Sequence, residues 1–519
     1  MSWYYRLGLF GLCFCLVLVI QWRGAAFRSE FGGSPDEPAH YVTGLMVHDY
    51  LAAGLPSGPL EYARSYYRHY PKVGLGHWPP FFYVIQGVWG LVFGPSKISL
   101  MVLMAAITGV LATVLGDGIS REYSPGAGVC MAVIMTTQPA VAEYSRMLMA
   151  ETLMALLVLL AVLAWGSYLE TERWQAAAWF GLWSTLALLT KGTGIALALV
   201  PPLSVLLTRR WRLARRFSFW LPAIVVVVFA GPWYLLAPDA QHESVARFGG
   251  LQFIGVRILG TLAGWPRMLG VIPTLAGIAG ILMWVFRIRR GAPGSKWQAA
   301  ACILASSYIC RLMIGAWEER HLLSTLPVLF MFACAPVAWL FSVPLKPLHK
   351  WVKVLLAGAA TAAVATANIY ALPPKAQFGF VEAAQHLTSA PRLREAVFLV
   401  CSDSAGEGML ISEVAMRERR PGHVILRASK VLSSSDFMGG RYRSLFDNQA
   451  SVLQYLDSVP VGIVIIDDAG RKLPHGSLLA ETMRDHPEKW ELESRYSLSR
   501  RPREILVYRR AGRLPKSQL

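Results

Sequence analysis

The chain has 519 residues, 54% of them apolar and only 16% charged, a composition that excludes a soluble globular protein and indicates a polytopic membrane protein. Of the net charge of +18, residues 376–519 hold +4, from 21 Lys/Arg and 17 Asp/Glu, so that +14 lies in residues 1–375. Because that charge falls in short loops between apolar segments, it is interpreted as a topology signal, and no nucleic-acid partner is expected. Six of the seven cysteines lie in apolar segments, which argues against a structural disulfide and a Cys-based metal site.

Eleven apolar segments are predicted to be transmembrane helices, since a span needs about 20 apolar residues. They are residues 7–22, 98–116, 125–142, 149–169, 175–190, 193–208, 217–236, 267–286, 298–315, 320–342 and 352–371. The first is interpreted as a retained helix rather than a cleaved signal peptide. Residues 81–94 are apolar but too few to span a bilayer, so they are predicted to form an interfacial helix.

Three basic loops set the predicted orientation. Two spans separate each loop from the next, so all three fall on one side, which the positive-inside rule makes cytoplasmic. The loops contain Arg209, Arg210, Arg212, Arg215 and Arg216; Arg287, Arg289, Arg290 and Lys296; and Lys346, Lys350 and Lys353. The large loop 23–97 and the tail from about residue 373 are then extracytoplasmic, in a protein expected in the bacterial plasma (inner) membrane. The loop with Glu170 and Glu172 would be cytoplasmic although it is acidic.

The tail changes character after Pro373-Pro374 and is predicted to be a soluble α/β domain with a partly parallel sheet. Helices are predicted at residues 380–387, 408–419, 449–457 and 477–486, and strands at 396–401, 424–427, 461–466 and 505–508. Asp467 and Asp468 follow a predicted strand, where a turn-forming role is favoured over a ligand site. The predicted fold is therefore a polytopic α-helical membrane protein with a C-terminal α/β domain. Its domains are a transmembrane domain, 1–375, which includes the extracytoplasmic loop 23–97, and an extracytoplasmic α/β domain, 376–519.

The polar loop 23–97 is predicted to carry catalytic residues, because a long ordered loop between spans is usually functional. It contains Asp36, Glu37, His40, Lys72 and His77. A carboxylate near the membrane surface can act as a general base when an acceptor hydroxyl lies within hydrogen-bond reach. The alternative is that the adjacent acids only cap a short helix, which explains their spacing but not the neighbouring His and Tyr residues.

Further charged residues lie at predicted span ends on the same face. Glu151 would lie about one turn inside a span, where an acid is costly and is a candidate functional group; an ion pair with Arg146 is the alternative. Lys191, in the sequence Lys-Gly-Thr-Gly, suits a phosphate because glycines expose backbone N–H groups, and a snorkelling lysine is the alternative. Arg247 and Arg320 suit bidentate phosphate recognition. These cations, with Lys72, are predicted to place a lipid phosphate beside a base.

The order of six motifs resembles the C-type superfamily of membrane glycosyltransferases. The motifs are Asp36-Glu37, HWPPFFY, SRMLMAE, LLTKG, HESVARF and ERHLLSTLP. They are most similar to the protein O-mannosyltransferase and aminoarabinose–lipid A transferase branch, over about residues 5–375, and the tail resembles that of the second group. The resemblance implies polyprenyl-phosphate sugars as donors, transfer outside the cytoplasm and inversion at the anomeric carbon. It implies that Asp36 is the base and that Glu151 occupies the family's second carboxylate position, where Asp is usual. Trp78 interrupts the family's Lys-Pro-Pro or His-Pro-Pro element, which leaves His77 and Lys72 as alternatives for its cation.

The favoured hypothesis is an inverting glycosyltransferase, a hexosyl- or pentosyltransferase, that uses a polyprenyl-phosphate sugar and a glycan, lipid or protein acceptor. The predicted catalytic residues are Asp36, Glu37 and Glu151, and the predicted donor-phosphate residues are Lys72, His77, Arg146, Lys191, Arg247 and Arg320. No cofactor is needed to expel a lipid phosphate, but a divalent metal is an open alternative, with His40 and His242 as candidate ligands. A lipid or sugar-lipid transporter would instead place charges near the membrane midplane and repeat its halves. A non-catalytic subunit that presents the tail would leave the acids of loop 23–97 without a role.

Overall fold

The computed structural model describes residues 1–74, 76–236, 254–289, 294–313, 318–342, 350–435, 440–497 and 504–512. His242 and Arg247 lie outside these residues. The chain forms two compact units. The helical unit comprises Met1–Gly24, Gly76–Phe82 and Met101–Pro373, and the loop–tail unit comprises Ala25–Leu75, Tyr83–Leu100 and Pro374–Leu519. The structure therefore groups most of loop 23–97 with the tail, whereas the sequence division assigned that loop to the first domain.

The chain up to Pro373 is helical. The α-helices are Trp3–Arg23, Glu37–Ala52, Pro59–His69, Phe81–Phe93, Lys97–Glu122, Pro125–Thr137, Pro139–Ser145, Glu151–Thr171, Trp174–Leu188, Val200–Thr208, Phe217–Phe229, Gly231–Leu236, Ile254–Leu269, Val271–Arg289, Ser295–Met313, Leu326–Ser342 and Lys350–Ala371. Three 3-10 helices are Gly192–Leu199, Trp211–Arg215 and Glu319–Thr325. Each of the eleven predicted spans therefore contains helix, and the interfacial segment forms the helix Phe81–Phe93.

Five helices among the described residues are long and apolar enough to cross a bilayer, and the number is seven when each of two bent pairs is one span. These helices agree with the membrane class that the composition predicts. The remaining predicted spans are shorter or more polar, as in the 15-residue helix Trp174–Leu188.

Local backbone chemistry explains both bends. The helices Pro125–Thr137 and Pro139–Ser145 meet at 64°, because Gln138 precedes a proline and takes an extended ψ of 131° that a helix cannot continue. The helices Ile254–Leu269 and Val271–Arg289 are separated by Gly270, whose φ of +77° favours glycine.

The helix Ile254–Leu269 corrects one expectation, since most of it lies in the connection between the predicted spans 217–236 and 267–286. Arg257, Arg267 and Pro266 interrupt its apolar pattern and hide the helix in the sequence. Arg257 donates to the carbonyl oxygen of Leu312 at 2.6 Å, so its charge has a partner inside the helical unit.

The acidic loop after Glu170 lies beside a basic loop of the same unit. Glu172 ends the helix Glu151–Thr171 with a left-handed φ of +54°. Its carboxylate pairs with Arg210, and lies 2.9 Å from Arg212 and 2.9 Å from Arg216. The two loops therefore share one end of the helical unit, as the predicted alternation of spans requires, and the acid is neutralised by the arginines there.

The tail is an α/β fold. Its α-helices are Phe380–Ser389, Ser404–Arg417, Ala428–Val431, Gln449–Ser458, Asp468–Arg471 and Pro474–Asp485, with a 3-10 helix at Pro391–Leu393. Its strands are β1 Val397–Cys401, β2 Ile425–Arg427, β3 Ser433–Ser434, β4 Arg443–Ser444, β5 Val461–Asp467, β6 Trp490–Ser497 and β7 Glu504–Arg510. The main sheet has the order β2-β1-β5-β7-β6, and β3 pairs with β4. Strands β2, β1 and β5 are parallel, while β7 is antiparallel to β5 and β6, so the predicted partly parallel sheet is confirmed.

Burial in the sheet follows strand position. Every residue of β1 and β5 is buried, which matches their continuous apolar runs AVFLVC and VGIVII. The turn role predicted for Asp467 agrees with its contact, since its carboxylate accepts the backbone N–H of Gly470 at 2.8 Å. The edge strand β6 was missed, because its sequence WELESRYS is too polar to predict a strand.

Candidate functional site

Glu151 is the centre of a charged cluster in the helical unit. It is the first residue of the helix Glu151–Thr171, and its side chain is only 2% exposed. Its Oε1 accepts a hydrogen bond from Lys191 Nζ at 2.6 Å, and Arg320 Nε lies 3.7 Å from the same oxygen. Because an isolated buried carboxylate is costly, two cations beside it are what stabilises its charged form. The structure thus brings together three residues that the sequence predicted for one site.

The backbone around Lys191 explains how the lysine is held. Lys191 lies between the helix Trp174–Leu188 and the 3-10 helix Gly192–Leu199. Its backbone N–H donates to the Ala187 carbonyl oxygen at 2.9 Å. A Cβ on Gly194 would lie 2.8 Å from the backbone nitrogen of Leu188, so the chain can turn back this closely only with glycine. The HWPP segment joins the same turn, since Phe81 N–H donates to the Leu189 carbonyl oxygen at 2.8 Å.

Arg320 is held by a capped 3-10 helix. Glu318 is its N-cap: the Glu318 N–H donates to His321 Nδ1 at 3.0 Å, and the Glu318 side chain accepts the backbone N–H of His321. Arg320 Nε lies 2.7 Å from Glu318 Oε2. The Arg320 side chain is 17% exposed. Its guanidinium is therefore shared between two carboxylates rather than aimed at one.

Three further residues belong to this cluster and were given no role from the sequence. Tyr144 is close enough to Glu151 and Arg320 for their charges to act on its hydroxyl. His321 is partly exposed and lies close enough to Lys191, Arg320 and Arg311 for their charges to act on its ring. Arg311 also donates to the Glu318 carbonyl oxygen at 3.2 Å. An arginine in the last turn of an apolar helix was the available signal for Arg311, whereas Tyr144 had none.

Arg146 has a different environment from the one predicted. Its Nε donates to Glu143 Oε2 at 2.9 Å, and its NH1 donates to the Pro373 carbonyl oxygen. The side chain is 3% exposed and packs against Gly24, where a Cβ would lie 3.0 Å from NH1. These contacts make Arg146 a tie between three segments of the helical unit.

Asp36 lies in the loop–tail unit with a cation nearby. It precedes the helix Glu37–Ala52, is partly exposed, and makes no side-chain cap bond to that helix. Lys72 donates to the carbonyl oxygen of Ser404 at 3.0 Å. Burial lowers the pKa of the Lys72 ammonium to about 8; Arg427 acts in the same direction, and Glu407 and Asp36 act against it. Asp36 and Lys72 are therefore close enough to interact electrostatically.

Glu37 is occupied by contacts inside the same unit. Its side chain is 0% exposed and its two oxygens lie 2.8 Å and 3.0 Å from Lys375 Nζ. Oε2 also accepts the N–H of Gly33 at 2.8 Å. Although the sequence presents Asp36 and Glu37 as an equivalent pair, the structure gives them different surroundings.

His40 and His77 make aromatic contacts in separate units. His40 Nδ1 lies 2.8 Å from the Tyr83 hydroxyl, and the His40 side chain is buried. The His77 ring packs edge-on against Trp78 at 4.6 Å between centroids. Within the described ranges, no group of three His, Cys, Asp or Glu residues is arranged to hold a metal ion. The other predicted metal ligand, His242, and the predicted phosphate ligand Arg247 lie outside those ranges.

Comparisons with known proteins show the fold. A family model described as dolichyl-phosphate-mannose-protein mannosyltransferase matches residues 77–235. The crystal structure of ArnT from Cupriavidus metallidurans bound to undecaprenyl phosphate is similar over 98% of this chain and 99% of that chain, with a TM-score of 0.57 and 16% identity. The fold is that of the C-type membrane glycosyltransferases. The archaeal oligosaccharyltransferase AglB from Archaeoglobus fulgidus, in complex with an inhibitory peptide and a dolichol-phosphate, matches with a TM-score of 0.55 and 13% identity, over 100% of this chain and 75% of that one. No curated protein sequence gives a significant match.

The C-type fold confirms the resemblance that the sequence motifs predicted. The matched family region begins at His77 and contains the Glu151–Lys191 pair, which is the best-defined part of the charged cluster. The likeness to ArnT extends over the tail as well, since almost the whole of both chains is covered.

Proposed function

We propose that the protein is an inverting glycosyltransferase that moves a sugar from a polyprenyl-phosphate donor to an acceptor hydroxyl at the extracytoplasmic face of a bacterial plasma membrane. The observation that carries this proposal is the pair of cations, Lys191 and Arg320, held beside Glu151 at the start of an apolar helix. Such a partly buried pair of cations suits an anionic head on an apolar lipid. ArnT, whose structure was solved with undecaprenyl phosphate, has the same fold.

Lys191 and Arg320 would stabilise the phosphate as it leaves. An ammonium has three donors, and the structure shows one on Glu151 Oε1, so a lipid phosphate can bind without separating the ion pair. As the bond between the anomeric carbon and the phosphate oxygen breaks, negative charge grows on that oxygen, and fixed cations lower the barrier. Arg311 adds positive charge to this proposed site.

Asp36 would be the general base. Its carboxylate takes the proton of the acceptor hydroxyl, the acceptor oxygen forms the new bond to the anomeric carbon from the opposite face, and polyprenyl phosphate leaves. Its partial exposure leaves it accessible to an acceptor, whereas Glu37 is buried against Lys375. We therefore assign catalysis to Asp36 and a structural role to Glu37.

The phosphate site is tested by lipid binding to the purified full-length protein. Undecaprenyl phosphate and undecaprenol, which lacks the phosphate, are compared by native mass spectrometry. Losing one charged hydrogen bond, about 1.5–3 kcal/mol, predicts that Lys191→Met weakens undecaprenyl phosphate about 10- to 100-fold and leaves undecaprenol unchanged. Lys430→Met, at an exposed lysine of the tail, is the matched control. Equal losses of affinity for both lipids would show that Lys191 does not bind the phosphate.

Catalysis is tested with undecaprenyl-phosphate-linked mannose, glucose and aminoarabinose as donors and cell-envelope membranes as acceptor. Asp36→Asn removes the base while keeping the size of the side chain, and general-base catalysis contributes about 10²–10⁴-fold, so transfer should fall by that factor. Undecaprenyl phosphate should bind as in the unmodified protein. Full transfer by a folded Asp36→Asn protein would exclude Asp36 as the base.

A further inference from the structure

Glu30 of loop 23–97 caps the first helix of the tail. The Glu30 side chain is buried, and its carboxylate accepts three consecutive backbone N–H groups: Phe378 at 3.1 Å, Gly379 at 2.9 Å and Phe380 at 3.0 Å. Those groups begin the helix Phe380–Ser389, whose first N–H groups have no partner within the helix. Gly379 has a φ of +95°, which favours glycine, so the tail backbone is shaped to meet this one carboxylate.

A second contact lies next to Asp36. Lys375 and Glu37 form an ion pair at 2.8 Å with side chains 4% and 0% exposed. Glu37 also holds the N–H of Gly33 at 2.8 Å, which fixes the backbone on the other side of Asp36. A buried pair tolerates little displacement, because either charge alone would remain buried without a partner.

A third contact fixes the residues that follow. A Cβ on Gly408 of the helix Ser404–Arg417 would lie 2.8 Å from Pro38 Cγ and 2.8 Å from Lys72 Cε. The tail helix therefore packs directly on the first turn of the helix Glu37–Ala52 and on the Lys72 stem. Loop residues on both sides of Asp36 in the sequence, Glu30, Glu37 and Pro38, thus contact the tail.

We propose that Lys375 is a positioning residue for Asp36: through its ion pair with Glu37, the tail holds the catalytic carboxylate in place. This inference rests on the proposed function, since it assigns the tail a part in the same reaction. A tail that only stabilises the protein would make all of its contacts with the loop equivalent. If the tail positions Asp36, loss of the contact at Glu37 lowers the reaction rate, whereas loss of a contact elsewhere on the loop does not.

The chain contains a matched control for this distinction. Asp49 lies on the same helix as Glu37, about 18 Å away along the axis at 1.5 Å per residue. It also pairs with the tail, with Arg420 Nε at 2.7 Å and NH2 at 3.1 Å. Lys375→Met and Arg420→Met therefore each remove one cation of the tail from the same loop helix, at opposite ends.

The experiment measures kcat, KM for the lipid donor and backbone hydrogen exchange on the full-length protein. Lys375→Met should lower kcat about 10- to 100-fold, the range expected for a displaced catalytic group, and leave KM for the donor within about twofold. Exchange should accelerate at residues 33–40. Arg420→Met should accelerate exchange near residue 49 with kcat unchanged. Lys375→Arg, which keeps the charge, should recover most of the lost rate.

Equal kcat values for the two Met variants, or faster exchange at residues 33–40 with kcat unchanged, would overturn the positioning role. If Lys375→Met does not yield folded protein, Lys375→Gln, which keeps one donor for Glu37, is measured against Arg420→Gln with the same expected contrast. Failure of the proposed function gives a different pattern. In that case the unmodified protein transfers no sugar from any donor. Hydrogen exchange at residues 33–40 in Lys375→Met, compared with exchange near residue 49 in Arg420→Met, still reports whether Lys375 orders the segment around Asp36.

Discussion

Lys72 is an ammonium on which burial and several charged side chains act at once. Burial and Arg427 lower its pKa to about 8, and Glu407, Asp36 and Asp403 oppose that shift. It lies outside the spans, where the aqueous pH reaches it. Its charge state is therefore a property of the loop–tail unit that pH can probe directly.

The lowered pKa predicts how stability depends on pH. In the unfolded chain the lysine pKa is about 10.4, so between pH 8 and 10 the unfolded state binds a proton that the folded state lacks. The free energy of unfolding should then rise with pH in that window, and be independent of Lys72 protonation below it. Thermal unfolding at pH 7, 8, 9 and 10 checks this against Lys72→Met. The same rise in the variant would show that another group is responsible.

Asp36 and Glu37 mark how far the site could be predicted at this scale. The residues alone identified both acids in loop 23–97 without distinguishing them, and the family resemblance singled out Asp36 as the base. Lys375, which separates their roles, is 338 residues away along the chain, and no local pattern connects the two positions. Glu30 escaped prediction for the same reason, since its partners are backbone N–H groups at residues 378–380.

At the scale of elements, the Lys-Gly-Thr-Gly turn requires a glycine at position 194 but not at position 192. A Cβ on Gly194 would meet the Leu188 nitrogen at 2.8 Å, whereas one on Gly192 would meet only the Tyr234 hydroxyl, at 3.9 Å. The two glycines are two residues apart in the same motif. Alanine at each position therefore tests whether the close contact with the Leu188 backbone is what shapes the turn.

Gly194→Ala should displace the turn that holds Lys191, because the obstacle is backbone and cannot rotate away. We expect weaker undecaprenyl phosphate binding and a loss of about 1–3 kcal/mol in stability, the usual cost of overpacking. Gly192→Ala should bind the lipid as the unmodified protein does. Native mass spectrometry and thermal unfolding measure both effects. Equal behaviour of the two variants would show that the close approach at Gly194 does not position Lys191.

The elements that could be predicted from the sequence are those with a strong local pattern. Each of the eleven apolar runs predicted as spans contains helix in the structure, and β1 and β5 were clear because buried parallel strands are continuously apolar. The helix Ile254–Leu269 and strand β6 were missed, because both mix charged and apolar residues and owe their structure to neighbours that the sequence does not show. The bends at Gln138 and Gly270 were not predicted, although Pro139 and Gly270 are local signals for a break.

At the scale of the whole molecule, the distribution of charge implies a fixed orientation. Glu172 pairs with three arginines of the next basic loop, so these two loops share one end of the helical unit. The positive-inside rule predicts that this end is cytoplasmic. The proposed reaction then requires loop 23–97 and the tail to be extracytoplasmic, as the order of the predicted spans implies.

Single cysteines report this orientation. Ser65, Lys430 and Arg173 are exposed. In a background without Cys15, the one cysteine that is exposed in the described part of the chain, a membrane-impermeant maleimide added to spheroplasts should label Ser65→Cys and Lys430→Cys. Arg173→Cys should react only after the membrane is opened. Labelling of Arg173→Cys in closed spheroplasts would reverse the predicted sidedness.

The backbone cap at Glu30 also has a consequence for biosynthesis. Ribosomes make residue 30 long before residues 378–380, so this carboxylate emerges with none of its N–H partners available. The loop can form these contacts only after residues 378–380 have been made. A nascent or prematurely terminated chain would already contain Asp36, yet would lack the groups that immobilise the segment around it. The proposed base, Asp36, would then acquire its final surroundings only after the ribosome has passed residue 380.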